Sequence, residues 1–533
     1  MATTKRKFLL QRKPVPSCQI FCLKSLEKAT GNYIQLATEE FHSGREYGGI
    51  LEHKVEASIR EVEAYLFHST PISLCSKVSE SFLVALSGWL KNAKVQLDQD
   101  DSSELNDSMY IAIRMAEVIA NEKIQRLDLS SVPKQIRSCL YGVLNKFTNV
   151  QILNMGSGHG GWLSETFCNR FYSSGFSDSF RHLVVLHFHH DCTDYLVELI
   201  SKGNSQSLKV LDVSFSQNVT DKSATWMAQC THLQELDVIG SSVSVQAVSY
   251  ILSHCKKMRK INAMRLALAL ELIQDKIDFQ LQLIECMPET DKCGFVTATT
   301  RKHLSLLSRM CPQIAQLSVF SENDYAPLDW NNNEEDDLIK DRSIVFNHLK
   351  VLHTWGGMLK PSLLAKFGST LTELKCVHVE QLTLNGTFKI IFQHCPSLNR
   401  LELQNCSIQD NPNDHEPSFT AKLKELSLVS KCSEMFMDRI IRCFPVLEAL
   451  ECGTSTGLSD LVIERNLEKL YYLKVFKIAH SKQISAKSVH LLLDHCPYLR
   501  EISDLAAFSS ISKEELCQIR SFLTRSNLIV SLA

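Results

Sequence analysis

Along most of the chain one spacing returns: an apolar residue, two variable positions, an apolar residue, one variable position, an apolar residue. It first appears as Ile124-Leu127-Leu129 and Val150-Leu153-Met155, then as Leu183-Leu186-Phe188, Leu208-Leu211-Val213, Leu233-Leu236-Val238 and Met258-Ile261-Ala263. After a gap come Ile314-Leu317-Val319, Leu349-Leu352-Thr354, Leu371-Leu374-Cys376 and Leu398-Leu401-Leu403. Leu423-Leu426-Leu428, Leu447-Leu450-Cys452, Leu473-Phe476-Ile478 and Leu499-Ile502-Asp504 complete fourteen copies. The last two apolar positions of each copy lie two apart, so they share one face of a short strand. The segment after each strand, such as "TDKSATWMAQC" or "SAKSVHLLLDHC", has helical spacing and is expected to pack behind it. No single strand–helix pair can bury its own apolar face, so the units are expected to stack.

The period is regular enough to identify. The middle apolar residues fall at 186, 211, 236 and 261, three steps of 25, and later at 401, 426, 450, 476 and 502. Leucine-rich repeats have periods of about 20–29 residues. Segments such as "HCPSLNRLELQNCSI" and "QCTHLQELDVIGSSVS" resemble the cysteine-containing class of these repeats, and the resemblance covers about three quarters of the chain. It implies an α/β leucine-rich-repeat solenoid, a horseshoe with parallel strands on its concave face and helices on its convex face. Two breaks interrupt it. Ile261 and Leu317 are 56 residues apart, two periods with one degenerate copy. Leu317 and Leu352 are 35 apart around "SENDYAPLDWNNNEEDDLIKD", which reads as an exposed loop, as does "QDNPNDHEPS" near residue 410.

Alternation also predicts where a partner would bind. The positions just after the triads include Ile239, Met264, Phe320, Trp355 and Val377, an apolar column on a face expected to meet solvent. The positions before the last apolar residue are polar or acidic, among them Asp128, Asp212, Asp237, His353, Lys375 and Glu402. Asp237, Ile239, Met264, Phe320, His353, Trp355 and Val377 are therefore the expected partner-binding residues, suited to a segment with a basic group and one hydrophobic anchor.

The first 107 residues lack the repeat. Leu51, Val55, Ile59, Val62 and Leu66 form one helical stripe, and Leu74, Val78, Phe82, Ala85, Leu86 and Trp89 a second, before the polar linker "LDQDDSSELND". "PSCQIFCLKSL" resembles the elongin-binding box of the von Hippel–Lindau type: Ser17, Cys22 and Leu26 match, and Cys18 stands where that family has Leu. "TPISLCSKVSESFLVAL" resembles a cullin box, with Pro71 and Leu74 at its start. The order of these parts is similar to the Zyg family of cullin-ligase receptors, and an F-box built from the 68–100 helices is a near alternative. This resemblance implies a substrate-recognition subunit of a cullin-RING ubiquitin ligase. Ser17, Cys22, Leu26, Pro71 and Leu74 would bind an elongin C or Skp-type adaptor and the repeats an unknown protein substrate. The expected organisation is a basic tail over 1–14, an adaptor module over 15–107, the solenoid over 108–510 and a capping helix over 511–533.

Composition changes this picture little. The 533 residues carry 57 basic and 59 acidic side chains, a net charge of −2, which offers no global attraction to nucleic acid or anionic membrane. The 19 cysteines show no regular CxxC pairing and read as small, buried, reduced thiols of an intracellular protein. The N-terminal sequence lacks the apolar core of a signal peptide, and Lys5, Arg6, Lys7, Arg12 and Lys13 are a weak nuclear signal, so a cytoplasmic or nuclear protein is expected.

Two motifs carry candidate chemistry. "ILNMGSGHGGW" runs a strand into Gly156, Gly158, Gly160 and Gly161 and resembles the first motif of S-adenosylmethionine methyltransferases, with Asn154 where that family has an acid and Asp191 as the candidate downstream acid; its place in the repeat register argues against an enzyme. "LHFHHDC" gathers His187, His189, His190 and Cys192, but a metal site needs three or four convergent ligands, and solvent-facing strand residues explain the run. No catalytic residue, cofactor or resident metal is expected.

Overall fold

The computed structural model describes residues 70–97, 116–130, 143–157, 164–176, 180–277, 279–284, 301–320, 344–410, 419–479, 483–503 and 510–525, with scattered positions between and beyond them. Two compact units divide between Gln282 and Leu283, inside the stretch expected to be one array.

Among the fully described elements, the unit before this division begins with helix α1 (Ile72–Leu97) and continues as strand–helix repeats. These are β1 (Arg126–Asp128), β2 (Ile152–Asn154), α2 (Glu165–Phe176), β3 (Val185–His187), α3 (Asp194–Asn204) and β4 (Val210–Asp212). Then follow α4 (Ala224–Gln229), β5 (Glu235–Asp237), α5 (Val245–His254), β6 (Lys260–Asn262) and α6 (Leu266–Ile273). The six strands form one parallel sheet in sequential order. The unit from Leu283 onward starts with α7 (Arg301–Met310), β7 (Gln316–Phe320), β8 (Val351–Trp355), α8 (Pro361–Phe367), β9 (Glu373–Val377) and β10 (Leu382–Thr383). It continues through α9 (Lys389–His394), β11 (Arg400–Gln404), β12 (Ile408–Gln409), β13 (Glu425–Val429), α10 (Glu434–Arg442), β14 (Ala449–Cys452) and α11 (Asp460–Asn466). It ends with β15 (Val475–Ile478), α12 (Ala486–His495), β16 (Glu501–Ile502), α13 (Lys513–Arg525) and β17 (Ser531–Leu532). Nine of these strands form a second parallel sheet, with β10 and β12 as a separate pair. Each unit is thus a leucine-rich-repeat α/β solenoid.

Each of the fourteen triads coincides with a strand. Their middle residues lie directly opposite one another: Leu153, Leu186, Leu211, Leu236 and Ile261 in one sheet, and Leu352, Leu374, Leu401, Leu426, Leu450, Phe476 and Ile502 in the other. All are at most 2% exposed, so they form a continuous apolar column, each contributing about 1.5–3 kcal/mol of burial. The degenerate copy is located by its backbone bonds. Each repeat offers one carbonyl to two successive amides of the next, as Gln234 does to Arg259 and Lys260; Ile284 does the same to Ala315 and Gln316. A strand the triads do not announce, β17, pairs with β16 beyond α13, so α13 is followed by further sheet.

Particular residues fix the helices at both ends. Thr193, Ser244, Ser433 and Ser459 cap helix N-termini through their side-chain oxygens, accepting from Leu196, Ala247, Phe436 and Val462 amides. Carboxylates near these N-termini reach one repeat further. Asp194 accepts from the Thr220 amide and hydroxyl, Asp221 from those of Ser244, and Asp460 from those of Ser485. At the other end, Cys255, Cys395 and Cys496 are C-caps whose amides bond to helical carbonyls and whose side chains are at most 1% exposed. This is why "HC" recurs before β6, β11 and β16: the position closes the helix and has room for a small apolar side chain. Burial pushes these three thiols up to about 12.

Candidate interaction surface

The residues between the buried strand positions make up the other face of each sheet, away from the helices. In the first unit Asn154, His187, Asp212, Asp237 and Asn262 stand in direct register across β2 to β6. In the second, Ser318, His353, Lys375, Glu402, Ser427, Glu451 and Lys477 do so across β7 to β15. Variable, largely polar side chains therefore project from a rigid backbone frame, the arrangement from which binding surfaces are built.

This face is partly closed by its own contacts. Lys375 Nζ lies 3.0 Å from Glu402 Oε1, and the two side chains are 3% and 9% exposed. Gln404 Nε2 also donates to Glu402 Oε1 at 2.6 Å, and Arg400 Nη2 to Oε2 at 3.3 Å. Arg400 further reaches Glu373 and Glu425 on the flanking strands. Toward β13, β14 and β15 the face opens: Val429 and Glu451 are exposed and Lys477 is half-buried, paired with Glu501 at 2.8 Å. A cleft of about 600 Å³ lies beside this region, lined among others by Glu434, Gly453, Thr456, Ile478 and Gln483.

The expected apolar column differs from its description as an exposed stripe. Ile239, Trp355 and Val377 are 2%, 8% and 2% exposed, and Met264 alone among those described is open, at 45%. In a parallel sheet the same register position recurs about every 4.8 Å, so large side chains in one column cover one another. Trp355 lies opposite Val377 on the next strand, and Val377 opposite Gln404. Phe320 is the last residue of β7, and its side chain lies outside the described residues. Asp237 is engaged locally, accepting from the Ile239 amide and from Asn262 Nδ2, and His353 is half-buried. Asp237, Ile239 and Met264 belong to one unit, and Phe320, His353, Trp355 and Val377 to the other.

Of the expected adaptor residues, Ser17, Cys22 and Leu26 lie outside the described residues, whereas Pro71 is exposed and Leu74 half-buried at the start of α1. One side of α1 closes the end of the first sheet. Ser76 Oγ accepts from the Gln125 and Arg126 amides at 3.3 and 3.0 Å, Glu80 pairs with Arg126, and Lys123 donates to the Phe67 carbonyl. Phe82, Leu83 and Leu86 are buried, while Ile72 and Val84 remain 56% and 55% exposed.

The glycine-rich segment has a structural explanation. Gly156 takes φ +63° two residues after β2, and a Cβ there would meet the Ser130 Cα at 2.8 Å, so the glycine permits close approach of neighbouring repeats. The sequential strand order has no reversal at this point, where a doubly wound sheet would open a nucleotide crevice. Asp191 is 1% exposed.

The histidine run is also reorganised. Cys192 is fully buried and burial pushes its thiol well above the ordinary range; His190 turns to φ 69° and stacks on Phe215. The partner of His187 and His189 is instead Asp212, one repeat later, which the sequence reading did not connect to them. Its Oδ2 lies 3.2 Å from His187 Nδ1 and 3.0 Å from His189 Nε2. The signal was the 25-residue period itself, since Asp212 is one step after His187. Burial alone would raise the Asp212 carboxyl; hydrogen bonds from the two imidazoles outweigh it and hold the group well below the usual carboxylate range.

No family model and no curated protein matches the chain. Among solved structures it is similar to an internalin from Listeria monocytogenes at 14% identity, covering 83% of this chain and 93% of that one, with a TM-score of 0.31. It is similar to the structure of the Rad7 and Elc1 complex in yeast at 11% identity, covering 80% and 94%, with a TM-score of 0.39. A leucine-rich-repeat protein of Leptospira interrogans gives 14% identity, 79% and 92% coverage and a TM-score of 0.31. No helix among the described residues is long and apolar enough to cross a membrane.

Proposed function

We propose that this chain is a protein-interaction scaffold, and more specifically the substrate-recognition subunit of a cullin-RING ubiquitin ligase. The observation that carries the scaffold reading is the strand register. It repeats one outward-facing residue pattern across six strands in one sheet and across most of nine in the other. A receptor of this kind contributes proximity between substrate and ligase, and no catalytic group of its own is needed. The ligase reading rests on the box-like segments around Ser17, Cys22 and Leu26 and around Pro71 and Leu74. It is supported by α1, which uses one side to close the sheet while Pro71, Ile72 and Val84 stay exposed for a docked adaptor.

The test is co-expression of the full chain with elongin B, elongin C and a cullin, and in parallel with a Skp adaptor. A complex that survives gel filtration and is lost when Cys22 and Leu26 are changed to Asp supports the reading. If neither adaptor nor any cullin co-elutes with the folded wild-type chain, the ligase assignment fails and a scaffold unconnected to ubiquitin remains.

A further inference from the structure

Three side chains on the open face of the first sheet meet the requirements of a metal site that the repeat architecture does not call for. We infer that His187, His189 and Asp212 form a binding site for a divalent transition-metal ion of the Zn²⁺ class, with at least one coordination position open to solvent. His187 ends β3 and His189 follows two residues later, so both side chains leave the same face of the chain. Asp212 ends β4 and lies directly opposite His187. One nitrogen from each histidine and a carboxylate oxygen all fall within 4.8 Å of one another.

The distances suit an ion. Ligands about 2.0–2.1 Å from a tetrahedral Zn²⁺ are about 3.3 Å apart, and the two imidazole-to-carboxylate separations are 3.2 and 3.0 Å. The remaining edge, between the imidazoles, is within 4.8 Å and closes toward that separation when an ion binds. Both rings are 35% exposed and have room to turn, which also gives an ion a path from solvent. Asp212 is 12% exposed at its side chain and provides the fixed corner.

The surroundings orient these ligands in the way metal sites require. The Ser214 amide donates to Asp212 Oδ1 at 3.0 Å, which holds the carboxylate with Oδ2 toward the histidines. The Ser214 hydroxyl lies 3.4 Å from His189 Nδ1, so with the ring proton on Nδ1 that nitrogen donates to Ser214 and leaves the Nε2 lone pair for an ion. His187 would ligate through Nδ1 with its proton on Nε2. An ion there takes the place of the two imidazole N–H groups that donate to Asp212 in the metal-free chain. Asp237 stands opposite Asp212 on the next strand, and two carboxylates in one register add negative potential that favours a cation. Imidazole with carboxylate selects Zn²⁺ and its neighbours over Ca²⁺ or Mg²⁺, and three protein ligands leave a position for water.

The experiment uses the full chain, stripped with chelator and titrated with Zn²⁺ by calorimetry, then with Co²⁺ to read the ligand set from its visible spectrum. The expected result is one site saturating at micromolar Zn²⁺, and a Co²⁺ spectrum of nitrogen and oxygen ligands without thiolate charge transfer. His187→Gln and His189→Gln should each weaken binding at least about tenfold, and Ser214→Ala to a similar or smaller degree, while His182→Gln on the exposed turn leaves it unchanged. In the wild-type chain, Zn²⁺ should also protect His187 and His189 from diethylpyrocarbonate, a readout that does not depend on a variant folding. No saturable binding, a thiolate spectrum, or Zn²⁺ affinity and histidine protection independent of these residues would overturn the site.

Discussion

Removing Glu402 should destabilise its repeat far more than removing Lys375, although the two form one ion pair. At 3.0 Å their gross attraction is about 5.5 kcal/mol for an effective dielectric near 20, most of it offset by desolvation of two buried groups. The neighbours break the symmetry. Without Lys375, Glu402 still accepts from Gln404 Nε2 and Arg400 Nη2. Without Glu402, a 3% exposed ammonium loses a carboxylate in a strand interior, and Gln404 and Arg400 lose the same acceptor. Glu402→Leu should therefore cost about 3–4 kcal/mol and Lys375→Met about 1–2 kcal/mol, with the double variant recovering at least about 1.5 kcal/mol of the sum. A repeat array need not unfold in one step, so the assay is urea-dependent hydrogen exchange of the β9 and β11 amides, followed by mass spectrometry. A loss of 3 kcal/mol appears as an increase of roughly 150-fold in exchange rate. Equal costs for the two single variants, or strict additivity in the double, would refute the argument.

Three further outcomes follow from the same kind of contact. Asn204 is 2% exposed, accepts from the Leu183 amide and donates to the Phe180 and Ile200 carbonyls, so Asn204→Ala should cost about 3 kcal/mol in chemical denaturation. A loss below about 1 kcal/mol would mean that water replaces those bonds. Burial would raise the Asp460 carboxyl, but bonds from Ser485 and Ser488 outweigh it and lower the group overall. Its contribution is therefore complete above the unfolded value near 3.9 and is lost as pH falls through the lower folded value. Asp460→Asn should be less stable at pH 7 and show a shallower acid decline; an unchanged acid slope would count against this assignment. Native-state alkylation with iodoacetamide should label Cys517, the exposed thiol among those described, and leave Cys255, Cys395 and Cys496 unmodified until denaturant is added. Rapid labelling of Cys395 in the folded chain would show that the helix C-caps open.

The strand columns were legible because burial imposes their spacing. Leu211, Leu236 and Ile261 are in register in the structure as their 25-residue steps require. Cys255, Cys395 and Cys496, just before their strands, were legible as buried thiols, though their role as helix caps needed the backbone. The degenerate copy was expected from the 56-residue gap, yet only the Ile284 carbonyl shows its start. β17 was missed because two sheet residues after α13 carry no triad. Lateral contacts were the least legible. Alternation assigns Ile239, Trp355 and Val377 to the outward face, but it does not say that they are buried there. His187 and Asp212 illustrate the same limit in reverse: they are distant in sequence, polar, and brought together by stacking alone.

The central claim is that partners are held by the open face of the strands. It is tested most directly by placing a photo-crosslinking residue at Val429 or Glu451 on that face, and at Tyr195 or Leu461, which are exposed on α3 and α11. Irradiation in cells, with adducts identified by mass spectrometry, should give a discrete protein adduct at Val429 or Glu451 and none at the helical positions. Adducts at Tyr195 or Leu461, with none from the strand face, would contradict the account.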